Sequence, residues 1–187
     1  IMPVHVNGRM CQMDKISIIA AKYGLKIIED SAQAMGAKFG GQPAGSFGDW
    51  GVFSYYPSKT LGCFGDAGAL VTNDRQIFER VRSMRNHGAD VTKTIPLDIS
   101  IWGTNSRLDN IHASILSYKM TYYQEVIERR RYIAQRYHDA LSRFDKVALP
   151  PPPSQSKMNY DIYQNYEFCT VWRDELRAYL AEHEIGT

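Results

Sequence analysis

Helical and strand-like stretches alternate through the first third of this 187-residue chain, and that alternation narrows the choice of fold more than any other feature. Asp14 can cap a helix running to about Tyr23, where Gly24 can end it, and Ile16, Ile19 and Ala20 give that helix one apolar stripe. Leu25 to Ile28 follows as a short buried strand. After a glycine-rich connection from Gly36 to Gly48, Trp50 to Tyr56 reads as a second strand and Ala69 to Thr72 as a third. Asn73 and Asp74 then open a helix to about Arg85. Strands separated by helices or long connections predict an α/β fold with a mainly parallel sheet, while the shorter link between the second and third strands also allows a hairpin.

From Asn105 onward the pattern turns helical, with Leu108, Ile111, Ile115 and Leu116 spaced for one apolar face. A longer helix is expected from about Tyr122 to Phe144, charged on one side through Glu125, Glu128 and the arginines. Pro150-Pro-Pro-Pro153 cannot continue a helix and forms a stiff extended connector. Beyond it, Tyr163 to Val171 reads as a strand and Asp174 to His183 as a helix. The chain thus divides into a large domain over residues 1–120, a connecting helix over 121–149 and the start of a small α+β domain over 150–187.

The chemistry concentrates in Phe53-Ser-Tyr-Tyr-Pro-Ser-Lys59-Thr-Leu-Gly62, where a strand stops at Pro57 and one lysine stands beside small residues. Such a lysine can serve as a covalent nucleophile toward a carbonyl. Upstream, Leu25-Lys-Ile-Ile28 runs into Glu29-Asp30-Ser31-Ala32-Gln33, which puts Asp30 at the carboxyl end of a strand. Open α/β sheets bind their ligands at such ends. A solvated loop lysine and a helix-capping aspartate are the plainer readings of the same two residues.

The segments EDSAQAMGAKFGGQPAGSFGDWGVFSYYPSKTLGCFGDAGALVTND and WGTNSRLDNIHASIL resemble the DegT/StrS group of pyridoxal 5'-phosphate (PLP) aminotransferases, which act on nucleotide-linked keto sugars. The likeness runs from Pro3-Val4-His5 to the end of the chain. It implies a partial fold-type I PLP-transferase large domain followed by the start of the small C-terminal domain. It also implies an internal piece, because relatives carry a long segment before the position of Ile1 and a tail after that of Thr187. On this resemblance Lys59 is the Schiff-base lysine and proton shuttle, and Asp30 faces the pyridine nitrogen. Gln33 lies near the ring and its phenolic oxygen, and Ser54 binds the phosphate. Asn105 reaches the neighbouring subunit's cofactor phosphate across a homodimer interface, unless it only caps the following helix. Arg107 can accompany Asn105, and His87 matches a loop near the active site.

The function implied is transfer of an amino group from glutamate to a nucleotide-linked 4-keto-6-deoxy or 3-keto hexose, in cell-surface polysaccharide or deoxysugar biosynthesis. Two other readings stay open. One is the dehydratase branch, which carries histidine in place of the lysine and is disfavoured by Lys59. The other is a non-catalytic remnant or dimerisation module that keeps the Asn105 to Phe144 helices. Two positions depart from the family pattern: Asn7 replaces an aromatic, and His112 stands where glutamine is common.

Composition excludes several other classes. Apolar residues make up 44% and charged residues 22%, with a net charge of +2, as in a soluble globular chain with no claim on nucleic acid. Arg129-Arg-Arg131 falls in a helical pattern where solvated arginines are expected. Cys11, Cys63 and Cys169 are too scattered for a disulfide framework or a thiolate zinc site, which favours reduced thiols and a cytoplasmic location. The five histidines lack metal-ligand spacing, and no stretch is long enough to span a membrane.

Overall fold

The computed structural model describes residues 1–90, 98–99, 101–154 and 158–187. Its first helix, α1 (Met13–Tyr23), starts one residue before Asp14, because Met13 is fully buried and anchors the first turn in the core. Asp14 therefore sits inside that turn, where a carboxylate favours the positive helix end. Gly24 closes α1 in a left-handed conformation, its N–H bonded back to Ala20 and Ala21. Of the expected stripe, Ala20 is buried and Ile16 half-buried, whereas Ile19 is exposed.

The central sheet holds β1 (Ile28–Asp30), β4 (Trp50–Ser54) and β5 (Gly68–Val71) in the order β1-β4-β5. Strands β1 and β4 are parallel, with Asp30 opposite Val52, and Val4 adds a parallel bridge on the other side of Asp30. Strand β5 runs antiparallel to β4. The hairpin alternative thus holds for that pair, and the sheet is mixed, with its parallel part at β1 and β4. A two-strand excursion, β2 (Lys38–Phe39) and β3 (Gln42–Pro43), fills part of the glycine-rich connection.

Helix α2 (Arg75–Met84) opens on Asp74, whose side chain accepts from the N–H groups of Gln76 and Ile77 at 2.8 and 3.2 Å. Helices α3 (Asn110–Met120) and α4 (Tyr123–Leu141) follow. Strand β6 (Val147–Ala148) pairs antiparallel with β8 (Cys169–Thr170), and α5 (Arg173–Glu182) ends the ordered elements. Little of the strand expected over Tyr163 to Val171 forms. Residues 161–166 instead cross the core, where Ile162 is fully buried and packs in one cluster with Ile127 of α4, Met13 and Leu61. Strand β7 (Asn159–Tyr160) pairs with β2, so the chain after the proline run returns to the first third of the molecule.

Candidate active site

The order β1-β4 and its parallel sense bring the carboxyl ends of both strands to one sheet edge. Asp30 is the last residue of β1 and Ser54 the last of β4. The Ser31 N–H donates to the Val52 carbonyl at 2.9 Å, which fastens the first residue beyond β1 to the neighbouring strand. Asp30 begins no helix. Its Oδ1 accepts from the Ala32 N–H at 3.1 Å, and successive turns over residues 31–37 carry the chain past Gln33.

Lys59 lies in the connection between β4 and β5, at the close of a turn in which its N–H donates to the Tyr56 carbonyl at 2.9 Å. It is half-buried, and its Nζ has no hydrogen-bond or ion-pair partner among the described residues. Several contacts hold this connection. The Cys63 N–H bonds the Tyr55 carbonyl at 2.8 Å, and Lys119 Nζ of α3 donates to the Gly62 carbonyl at 2.5 Å. The side-chain amide of Gln164 reaches both neighbours of the lysine: Oε1 accepts from the N–H and hydroxyl of Thr60 at 2.7 and 2.6 Å, and Nε2 donates to the Ser58 carbonyl at 2.9 Å. A Cβ at Gly62 would lie 2.6 and 2.7 Å from the carbonyl oxygens of Pro57 and Tyr56, so only glycine lets the loop close this tightly. Gly62→Ala is expected to cost about 2 kcal/mol through backbone displacement, read from the urea midpoint. An unchanged midpoint would show that the loop opens at no cost.

Gln33 and Asn7 explain each other. Asn7 adopts a left-handed backbone at φ 57°, a conformation asparagine tolerates and an aromatic does not readily take. In that pose its N–H donates to Gln33 Oε1 at 2.6 Å, its carbonyl accepts from the Gln164 N–H at 2.9 Å, and its Oδ1 accepts from Asn165 Nδ2 at 3.1 Å. The departure at residue 7 is therefore built into the bonds that hold Gln33 and the 164–165 stretch. It also commits the Gln33 oxygen, leaving the amide NH2 of Gln33 without a partner among the described residues.

Behind Asp30 lies a pair that sequence reasoning did not assemble. His5 and Glu29 are both fully buried, with His5 Nε2 3.0 Å from Glu29 Oε2. His5 Nδ1 accepts from the Cys11 N–H at 3.2 Å, so the tautomer with its proton on Nε2 satisfies both contacts. Glu29 also accepts from the N–H groups of Gly45, Phe47 and Gly48 at 2.9, 2.6 and 2.8 Å. Burial pushes this carboxyl up, but the bonds from His5, Gly48, Gly45 and Phe47 outweigh it and hold the group below the ordinary carboxylate range. The backbone of the same two residues frames the aspartate, since the His5 N–H donates to the Asp30 carbonyl at 3.0 Å. The adjacency of Glu29 to Asp30 and the placement of His5 in the matched Pro3-Val4-His5 segment were the available signals.

The 161–164 stretch is locked from two sides. Arg9 pairs with Asp161 at 2.5 Å, and Arg131 of α4 donates to the Asp161 carbonyl at 2.7 Å. Burial pushes the Asp161 carboxyl up, against the opposing pull of Arg9 and Arg131.

Asn105 falls elsewhere. It forms an antiparallel bridge with Asn86, flanked by bonds from the Thr104 N–H to the Met84 carbonyl and from the Ser106 N–H to the Arg85 carbonyl, both 2.8 Å. Arg107 donates to Asn86 Oδ1 at 3.0 Å, and the His87 N–H bonds the Thr104 carbonyl. This exposed ribbon shares no hydrogen bond with Asp30, Gln33, Ser54 or Lys59 among the described residues. Helix α3 begins only at Asn110, preceded by Asp109, so Asn105 is not its cap. Among the described residues no helix is long and apolar enough to cross a membrane.

A mixed α/β sheet with a lysine loop at its carboxyl edge is the frame of a fold-type I transferase large domain, here in part. The chain belongs to the DegT/DnrJ/EryC1/StrS aminotransferase family, whose model matches residues 1–187. It is 42% identical over 187 residues to a UDP-N-acetyl-3-dehydro-alpha-D-glucosamine 3-aminotransferase of Acidithiobacillus ferrooxidans, covering all of this chain and 48% of that protein. The crystal structure of a DegT/DnrJ/EryC1/StrS aminotransferase from Brucella abortus superposes with a TM-score of 0.89 at 37% identity, over 98% of this chain and 47% of that one. DesV of Streptomyces venezuelae, solved in complex with a ketimine intermediate, gives 0.89 at 35% identity over 99% of this chain and 48% of its own. The chain thus spans about half the length of the relatives it matches.

Proposed function

We propose that this chain supplies the lysine-bearing part of a PLP-dependent aminotransferase that moves an amino group from glutamate to a nucleotide-linked keto sugar. The observation that carries the reading is the common sheet edge shared by Asp30, Ser54 and the Lys59 loop. The donor set suits the cofactor: among the described residues, Lys59 Nζ, one Asp30 oxygen and the Gln33 NH2 have no partner. When bound, PLP supplies a carbonyl open to amines and a ring that draws electron density from the substrate carbon.

Each residue then has a defined task. Lys59 Nζ would hold the cofactor through its amine, and as a free amine it would carry a proton to and from the reacting carbon. The Asp30 carboxylate favours the protonated ring nitrogen by its opposite charge. The Gln33 NH2 would hold the ring oxygen, and Ser54 Oγ the phosphate. Asn105, exposed on its ribbon, serves the phosphate of a second subunit in a homodimer, with Arg107 beside it. The relatives' names support a keto-sugar nucleotide acceptor, and the reduced thiols a cytoplasmic setting.

The test is to incubate the protein, alone and in its longer form if one exists, with PLP, glutamate and a panel of UDP- and dTDP-linked 3-keto and 4-keto hexoses. A cofactor absorbance band and an amino-sugar nucleotide detected by mass spectrometry are expected. Absence of both in every form overturns the proposal.

A further inference from the structure

We infer that Gln164 is a positioning residue for Lys59, acting through the two peptide units that flank the lysine. This rests on the reading of Lys59 as the residue that attaches the cofactor. Three of the four hydrogen-bonding capacities of the Gln164 carboxamide are spent on this loop: two acceptor sites on Thr60 and one donor on Ser58. No other side chain among the described residues bonds on both sides of Lys59. The grip is itself held firmly. Gln164 is buried, its N–H donates to the Asn7 carbonyl at 2.9 Å, and its own carbonyl accepts from Arg130 of α4 at 3.0 Å.

The chemistry gives such a grip a purpose. A lysine amine rides on a flexible four-carbon stem, so its reach is set by where its Cα is fixed. Covalent attachment and proton transfer by one nitrogen demand placement within about half an ångström. The turn bond from the Lys59 N–H to Tyr56 fixes only one side of the residue. Gln164 fixes the carbonyl of Ser58 before it and the N–H of Thr60 after it. It also ties the lysine to Gln33, since Asn7 contacts both glutamines.

A loop that merely stabilised the fold would lose stability on substitution without changing the lysine's behaviour, so the two roles separate by experiment. Gln164→Ala removes all three bonds, whereas Gln164→Glu keeps the acceptor for Thr60 and loses the donor to Ser58. Asp74→Ala, which uncaps α2, serves as a control for general destabilisation. Two quantities are read: protection of the Thr60 amide against hydrogen exchange, and the rate at which PLP is trapped on Lys59 by borohydride reduction, located by peptide mass spectrometry. Gln164→Ala is expected to lower both by about tenfold, the worth of one net hydrogen bond. Gln164→Glu should slow trapping to a similar extent while retaining Thr60 protection, and Asp74→Ala should change neither ratio. Trapping in both Gln164 variants that matches the wild type, or that falls only as far as in Asp74→Ala, overturns the inference. Wild-type protein that traps no PLP at Lys59 fails the earlier reading of the lysine instead, and the two failures are told apart by that wild-type result. If the alanine variant does not fold, the glutamate variant decides alone.

Discussion

Lys59→Ala is expected to abolish amino transfer, lowering kcat by on the order of 10⁴-fold or more, because covalent attachment and proton transfer are lost together. The same variant should lose the PLP absorbance band and yet keep its denaturation midpoint, since Lys59 Nζ has no partner among the described residues whose loss would cost stability. This split between function and stability distinguishes a reactive lysine from a structural one. Asp30→Asn keeps the size of the side chain and the bond from Ala32 while removing the charge, so it should retain the band and lose most of the rate. A Lys59→Ala protein that still turns over a keto-sugar nucleotide would remove the residue from the mechanism.

The second large effect lies behind the site. Glu29→Ala strands His5 Nε2 and the Gly45 N–H in a buried place and also takes the acceptor from the half-buried N–H groups of Phe47 and Gly48. Each buried donor left unsatisfied costs about 1–3 kcal/mol, so the loss of several together is a large share of the roughly 5–15 kcal/mol that holds a domain folded. Urea denaturation should show the loss, and a change below about 1 kcal/mol would mean that the 45–48 turn rearranges freely. The pair also sets a pH dependence. Glu29 sits below its ordinary range in the folded state, so its contribution is fully present above pH about 4.3 and is lost as pH falls through the depressed folded value. Glu29→Gln should be less stable near neutrality and should flatten the acid limb of the stability curve.

Local chemistry made part of this visible in the residues themselves. Gly24 and Asp74 act within one turn of their own helices, and both function as their side chains and spacing suggest. The placement of Asp30 at the end of β1 and of Lys59 in the loop after β4 is legible because a strand end and a proline-stopped loop announce themselves over a few neighbours. Asn105 misled because Asn105-Ser-Arg-Leu has the look of a helix start. In the structure the N–H groups of Thr104 and Ser106 are taken by Met84 and Arg85, which holds the backbone extended until Asn110. Ile19 fits the helical stripe yet stays exposed, for periodicity finds a face and not what covers it. The bonds of Gln164 to Ser58 and Thr60 and the pairing of β2 with β7 left no trace in the pattern, because they join residues more than 100 positions apart and such pairing has no period.

That long reach has a consequence for how the protein is made. A ribosome delivers β1, β4, β5 and the lysine itself well before it delivers Gln164, 104 positions after Thr60. During that interval a growing polypeptide holds the Lys59 amine on an unfastened loop, and completion of the sheet edge at Asp30 and Ser54 waits for the residues beyond the proline run to emerge and dock.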